Sequence, residues 1–236
     1  MSRYLLDLAL AAIPIILAIT LHEAAHGYAA LALGDTTARD AGRLSLNPIK
    51  HIDRVGTIIL PGFLLIGQLL MPPHKIHFMF GWAKPVPVGA WRFKNPRRGM
   101  AIVATAGPLM NFFLAWLAAL VMPMADDPTG IQAIAQQFLL YFMLSNLVLG
   151  LFNLLPIPPL DGGRIAVGLL PLNLANAWAR LERAGILVVL LVVFILPRAI
   201  GVDPVGQALD TVLPWAFRTL FWLAGHNVDG FGGNVI

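Results

Sequence analysis

Apolar residues recur along this chain in stretches too long for the core of a small water-soluble domain, and that pattern constrains the fold most. The stretches fall near Tyr4–Leu33, Val55–Met71, Gly99–Met124, Ile131–Leu155, Ala184–Leu196 and Pro204–Ala224. A helix that crosses a bilayer needs about 20 predominantly apolar residues, and several of these stretches supply them. Of the 236 residues, 58% are hydrophobic and 12% are charged, against about 25% charged in soluble domains. The mean hydropathy is +0.77. Inside lipid every backbone polar group must find its partner within the protein, so the spanning pieces should be helices. The expectation is an all-α polytopic membrane protein of about five to six membrane segments.

Arg3 followed by Tyr4 to Thr20 has the outline of a signal peptide, but the apolar run continues to Leu33, so a retained first helix is expected. Gly34–Arg54 is polar and short-stranded in character, with Gly34-Asp35 as a helix stop and Asn47-Pro48 as a turn. Met71–Arg98 is a second polar region. It contains Gly81-Trp82-Ala83-Lys84-Pro85-Val86-Pro87-Val88, whose prolines forbid a central strand but permit a short extended or edge β element. Pro72–Arg98 carries Lys75, Lys84, Arg92, Lys94, Arg97 and Arg98 with no acid, whereas Met122–Gly130 carries Asp126 and Asp127 with no base. Excess positive charge marks cytoplasmic loops, so the first region should lie inside and the second outside. Gly34–Arg54, with Arg39, Arg43, Lys50 and Arg54, belongs inside by the same rule. Val55–Met71 then cannot cross fully, and with Pro61, Gly62 and Gly67 it reads as a re-entrant segment between the first and second core helices. The net charge of +4 and pI near 9.9 arise from bases scattered between apolar runs, which are topology signals and not a nucleic-acid surface.

Within the first apolar run stands His22-Glu23-Ala24-Ala25-His26. Residues four apart share a helix face, so the two imidazoles can grip one metal ion with Glu23 beside it. This is the metalloprotease arrangement, in which two histidines hold zinc and the glutamate takes a proton from water. Ionisable groups inside a membrane span cost about 2.5–3.5 kcal/mol each on insertion scales, a cost that a metal offsets. Zero cysteines exclude thiolate ligands, so a zinc site must use His, Asp or Glu. Catalytic zinc has three protein ligands and one open position. The third is expected from Asp161, which follows Asn153-Leu154-Leu155-Pro156-Ile157-Pro158-Pro159-Leu160 on chain unwound by its prolines, at the cytoplasmic end of a long apolar helix. Intramembrane His and Asp also mark ion pathways, so the alternative is a divalent-metal transporter or a metal-binding membrane protein without proteolysis. Glu23 discriminates, because hydrolysis requires a carboxylate there and transport has no obvious use for one.

His22-Glu23-Ala24-Ala25-His26 paired with Asn153…Leu160-Asp161-Gly162-Gly163 resembles the site-2 protease family of intramembrane zinc metalloproteases. Gly107-Pro108-Leu109-Met110-Asn111 is similar to the family's small-residue and asparagine motif. Asn47–Asp53 and Gly81–Val88 resemble the compact subgroup without PDZ or CBS domains. The resemblance implies one Zn²⁺ per chain on His22, His26 and Asp161, with Glu23 as the catalytic acid/base. It further implies Asn153 at the substrate carbonyl or oxyanion and Asn111 in substrate placement, although interhelical hydrogen bonding also accounts for intramembrane asparagines. The implied partners are a transmembrane protein substrate and the lipid bilayer, with no nucleic acid. The expected location is the cell (inner) membrane, with the site toward the cytoplasm. Residues 1–236 read as one peptidase domain, with a catalytic core over about 4–170 and accessory C-terminal helices over about 171–225.

The remaining histidines are expected to do other work. His74 and His77, after Pro72-Pro73, read as interfacial, and His226 belongs to a Gly- and Asn-rich tail expected to be disordered. His51, near Asp53, reads as a supporting or gating group or as a plain surface residue. Trp82, Trp91, Trp178, Trp215 and Trp222 read as interfacial anchors.

Overall fold

A computed structural model describes residues 2–70, 81–123, 128–191 and 195–226. In chain order they form α1 (Ser2–Ala32), α2 (Thr37–Asp40), α3 (Leu60–Leu70), α4 (Pro96–Leu120), α5 (Gly130–Asn153), α6 (Asp161–Leu169), α7 (Leu172–Leu181), α8 (Ile186–Leu190), α9 (Leu196–Ile200) and α10 (Pro204–Leu223). Among the described residues no strand forms.

The ends of these helices are written in their sequence. Asn95 caps α4 by accepting the Arg98 N–H at 3.1 Å, with Pro96 in the first helical position, where its missing donor costs nothing. Gly34, at φ +94°, turns the chain out of α1, and the Asp35 N–H returns to the Ala30 carbonyl at 2.9 Å. The C-terminal end of α4 is met by His226, whose Nε2 lies 2.7 Å from the Ala119 carbonyl. His226 is thus an ordered partner of the bundle; residues 227–236 lie outside the described ones.

Three helices are long and apolar enough to cross a membrane: α1 over Leu6–Ala32, α4 and α5. The structure is therefore that of an integral membrane protein. α3 continues directly from a helical stretch over Arg54–Ile59, and the residues that follow it, 71–80, lie outside the described ones. Part of the Ala184–Leu196 run, residues 192–194, is outside the described residues. α10 has the length, but Asp210, Pro214 and Arg218 interrupt it and it does not reach comparable hydropathy.

α4 is the hub, packing on α1, α5, α6 and α10. The buried residues at these contacts are small: Ala18, Ala24, Ala25 and Ala30 on α1, and Ala104, Gly107, Ala115, Ala118 and Ala119 on α4. Lipid tails are as apolar as leucine, so helices associate in a membrane through close approach of small residues. Met122, Met143, Leu147, Leu220 and Phe221 fill the space where α4, α5 and α10 meet. Large apolar side chains such as Leu8, Ile16, Ile102, Leu109 and Phe113 point outward.

Residues 81–89 are extended, as their prolines predict, yet they build no ladder. The Trp82 N–H goes to the Gly56 carbonyl at 3.1 Å and the Lys84 N–H to the His51 carbonyl at 2.9 Å. The Val86 N–H goes to Glu23 Oε2 at 3.0 Å and the Gly89 N–H to Asp35 Oδ2 at 2.6 Å. The four donors thus reach four different residues, Gly56, His51, Glu23 and Asp35, and Pro85 and Pro87 have none to offer. Asp161 also differs from expectation. It is the first residue of α6 and does not lie on unwound chain.

Candidate metal centre

α1 presents His22 and His26 one turn apart on the side facing α4. What lets two rings lie there is Gly107: a Cβ at that position would stand 2.6 Å from His22 Cε1 and Nε2 and 2.6 Å from His26 Cε1. Asp161 arrives from the other side. Gly162 and Gly163 allow the chain after α5 to fold onto the first turn of α6, since a Cβ at Gly162 would lie 2.2 Å from the Leu154 carbonyl oxygen and one at Gly163 2.7 Å from Pro158 N. These two glycines bring Asp161 back to α1.

The result is a compact triangle. His22 Nε2 and His26 Nε2 are 3.1 Å apart, and Asp161 Oδ2 is 3.1 Å from the first and 3.3 Å from the second. The outer nitrogens are accounted for: His22 Nδ1 lies 2.5 Å from Asn111 Oδ1, and His26 Nδ1 lies 2.7 Å from the Val103 carbonyl. Oxygen acceptors at both Nδ1 positions place each proton there, so both Nε2 atoms turn lone pairs toward Asp161. Asp161 Oδ2 is itself buried with no hydrogen-bond partner. Three electron-rich atoms facing one another in a buried place repel unless a cation joins them. Tetrahedral zinc, with bonds of about 2.0–2.2 Å, sets its ligand atoms roughly 3.3–3.6 Å apart, a few tenths of an ångström wider than the 3.1–3.3 Å seen. The group could hold one metal ion, and the donor set fits zinc.

Glu23 shares the helix but faces elsewhere, with its carboxylate on the Val86 amide. Gly27, one turn on, continues that contact, because a Cβ there would be 3.1 Å from Val86 Cγ1. The extended segment is anchored at its far end by Asp35, which is 1% exposed and accepts the Gly89 and Thr37 N–H groups and the Thr37 hydroxyl. Burial alone would raise the Asp35 carboxyl, but the Thr37 hydroxyl, the two amides and Arg92 outweigh it and hold it below the usual carboxylate range. Arg43 Nη2 donates to the Lys84 carbonyl at 2.8 Å. His51 is buried, with Nε2 2.8 Å from the Ser45 carbonyl, so it braces this loop and is not a surface residue. His74 and His77 lie outside the described residues.

The asparagines divide. Asn111 is 0% exposed, and its Nδ2 donates to Asn146 Oδ1 at 2.8 Å and to the Ala18 carbonyl at 3.3 Å. It faces His22 and no open cleft. Asn153 donates to the Leu149 carbonyl of its own helix at 3.0 Å and makes no hydrogen bond to His22, Glu23, His26 or Asp161. Sequence reasoning missed Asn146, the Val103 carbonyl and the Val86 amide. For Asn146 a signal exists: it is a buried amide in an apolar helix, a residue type that in a membrane needs a polar partner.

The profile of Peptidase family M50 matches residues 123–196, a span that holds Asn153 and Asp161 but not the histidines. The chain is 40% identical over 191 residues to the Bacillus subtilis protein named Putative zinc metalloprotease YwhC, covering 78% of this chain and 80% of that one. It is 29% identical over 210 residues to Rip2 of Mycobacterium tuberculosis strain H37Rv, named in the same words, covering 88% of this chain and 70% of the relative. No solved structure matches. A buried two-histidine, one-carboxylate triangle on a membrane helix, together with these likenesses, leads to one conclusion: the chain belongs to peptidase family M50, the site-2 protease family, and is a zinc metalloprotease.

Proposed function

We propose that this enzyme hydrolyses peptide bonds within or next to the transmembrane segments of membrane-protein substrates, in the cell membrane and with its centre toward the cytoplasmic side. The supporting observation is that the ligand triangle forms on the inner face of α1, a helix long enough to cross a bilayer. A peptide bond that reaches this triangle arrives at membrane depth. Residues 1–236 act as one peptidase unit, with re-entrant α3 and accessory helices after about residue 170 completing about five to six membrane segments.

His22, His26 and Asp161 would hold one zinc ion, with Asp161 offsetting one of its two positive charges. When bound, zinc supplies Lewis acidity, polarising the scissile carbonyl and lowering the pKa of water. Glu23 takes the proton of the attacking water and passes it to the leaving amine nitrogen. Asn153, once its Nδ2 turns away from the Leu149 carbonyl, donates to the developing oxyanion. Asn111 bears on substrate placement through the position of His22. A helical substrate must unwind before its amides are accessible, and residues 81–88 offer extended backbone for it to pair with by β-augmentation. The half-inserted segment over 55–71 admits water or gates entry.

Glu23→Gln keeps size and an amide but removes the base. Zinc should remain at one per chain while cleavage of a membrane-spanning substrate falls by at least about 10²–10⁴-fold. Asp161→Ala should lose both metal and cleavage. Measuring proteolysis and divalent-metal flux on the same reconstituted preparation separates this reading from a transporter, in which Glu23→Gln would change flux and no substrate would be cleaved by either protein. Unimpaired proteolysis by Glu23→Gln removes the mechanism.

A further inference from the structure

A neutral imidazole can carry its proton on either nitrogen, and only one tautomer leaves Nε2 free to bind a metal. For His26 the choice is made directly, because its Nδ1 faces the Val103 backbone carbonyl at 2.7 Å, which accepts and never donates. His22 has no such neighbour. Its Nδ1 faces the side-chain amide of Asn111 at 2.5 Å, and an amide offers an oxygen or an NH₂ group according to which way it is turned. Turned the wrong way, Asn111 would donate to Nδ1, and the ring would carry its proton on Nε2, inside the ligand triangle.

The direction is settled one residue further out. Asn146 is 0% exposed on α5, and one end of its amide lies 2.8 Å from the Phe142 carbonyl. A backbone carbonyl can only accept, so that end is NH₂ and the other end, Oδ1, faces Asn111. Oδ1 also only accepts, so Asn111 must turn its NH₂ toward it, at 2.8 Å. The Ala18 carbonyl, at 3.3 Å from the same nitrogen, favours the same orientation. Asn111 Oδ1 is left for His22 Nδ1–H. Each link has one allowed polarity, and the series runs from a fixed carbonyl on α5 through α4 to the lone pair of His22 Nε2 on α1.

We propose that Asn146 is a positioning residue for the metal centre: through Asn111 it fixes the tautomer of His22 and so the nitrogen offered to zinc. His26 is set directly by a backbone carbonyl, and His22 through Asn111, whose NH₂ is held by Asn146 at 2.8 Å and, over a longer contact, by the Ala18 carbonyl at 3.3 Å. The inference rests on His22 being a zinc ligand, and zinc binding by the wild-type chain tests that reading before any Asn146 variant is measured.

Asn146→Leu keeps the branched shape, with some added bulk, and removes both polar ends. In the detergent-solubilised full chain, zinc affinity measured by chelator competition should fall by about 10–100-fold, the usual cost of losing an outer-shell partner. The ¹⁵N-histidine spectrum of the metal-free protein should show His22, assigned by its loss in His22→Gln, passing from one tautomer to a mixture. Asn146→Asp retains an acceptor for Asn111 and should stay within a few-fold of wild type. Leu147→Ala, at the neighbouring buried position of α5, gauges general loosening and should lower the melting temperature without changing the tautomer. Wild-type affinity and a single His22 tautomer in Asn146→Leu would overturn the proposal. So would equal losses of zinc affinity in Asn146→Asp and Asn146→Leu, or a loss in Asn146→Leu that Leu147→Ala reproduces at equal destabilisation.

Discussion

One hydrogen atom at Gly107 decides whether two imidazoles can lie against α4. An alanine there would put its methyl 2.6 Å from atoms of both rings, and α4 has little room to retreat, because on its other side Gly150 of α5 already lies close enough that a Cβ would touch Phe112 at 2.9 Å. The rings must move, and with them the ligand spacing. Gly107→Ala should therefore weaken zinc binding by about 10–100-fold, the range for disturbed ligand orientation, while the metal-free protein melts near the wild-type temperature. A calorimetric zinc titration beside a thermal melt checks this, and unchanged affinity would remove Gly107 from the architecture of the site. Gly162 fails differently: its missing Cβ avoids backbone oxygens of Leu154 and Leu155 at 2.2 and 2.3 Å, which cannot swing aside, so a substitution there opposes folding itself. At this scale legibility follows sequence distance. His22-Glu23-Ala24-Ala25-His26 can be read because its spacing is already its chemistry. Asn146 could not be assigned, because its partner Asn111 is 35 positions away and no local pattern links them.

Among the elements, the extended segment lies against Glu23 through the Val86 N–H. Its site-facing donors, Trp82, Lys84 and Val86, are all engaged. Backbone groups alternate in direction along an extended chain, so the opposite edge offers the N–H of Ala83 but none from Pro85 or Pro87. A substrate strand pairing on that edge would also stand about 4.8 Å farther from Glu23. On the proposed mechanism, a substrate that reaches Glu23 displaces the Val86 N–H and lifts the segment from α1. Because the chain has no cysteine, Gly27→Cys with Val86→Cys makes a clean lock: Val86 Cγ1 lies 3.1 Å from a Cβ at Gly27, within reach of disulfide geometry. Oxidised, the double variant should keep its zinc and lose roughly tenfold or more of its cleavage rate, as expected when a gating loop cannot open; dithiothreitol should restore it. Full cleavage by the oxidised form, measured beside each single-cysteine control, would mean that substrate enters without moving the segment. The prolines made the extended conformation legible. The absence of a ladder was not, because it depends on Gly56, His51 and Glu23 taking the donors one at a time.

For the whole molecule, the hydrogen bonds sort the loops into two ends, and the charges follow them. Asp35, just after α1, holds Gly89, and Arg92 Nη1 donates to Thr36 at 2.7 Å, so the end of α1 and the start of α4 share one end of the bundle. Arg97 Nη2 donates to the Gly168 carbonyl at 3.2 Å, bringing the end of α6 to the same level. That end carries Arg39, Arg43, Lys50, Arg54, Lys84, Arg92, Lys94, Arg97, Arg98, Arg164, Arg180 and Arg183. The end of α4 and the start of α5 lie at the other end; residues 124–127 between them, with Asp126 and Asp127 in the sequence, are outside the described ones. Hydropathy and charge made this arrangement readable from sequence, since lipid and membrane potential act on composition. The number of full crossings was less readable, because a run such as Val55–Met71 has the same composition whether it spans or turns back. By the positive-inside rule, a reporter fused after Asp127 should read outside, and reporters within Lys84–Arg98 or after Arg183 should read inside. With the Lys84–Arg98 reporter inside, α1 and α4 are joined by a polar region that never leaves the cytoplasmic face, and α3 dips into the membrane and returns. An outside reading there would make Val55–Met71 a complete span, place the extended segment on the external face, and reverse the side from which substrate and water reach the metal centre.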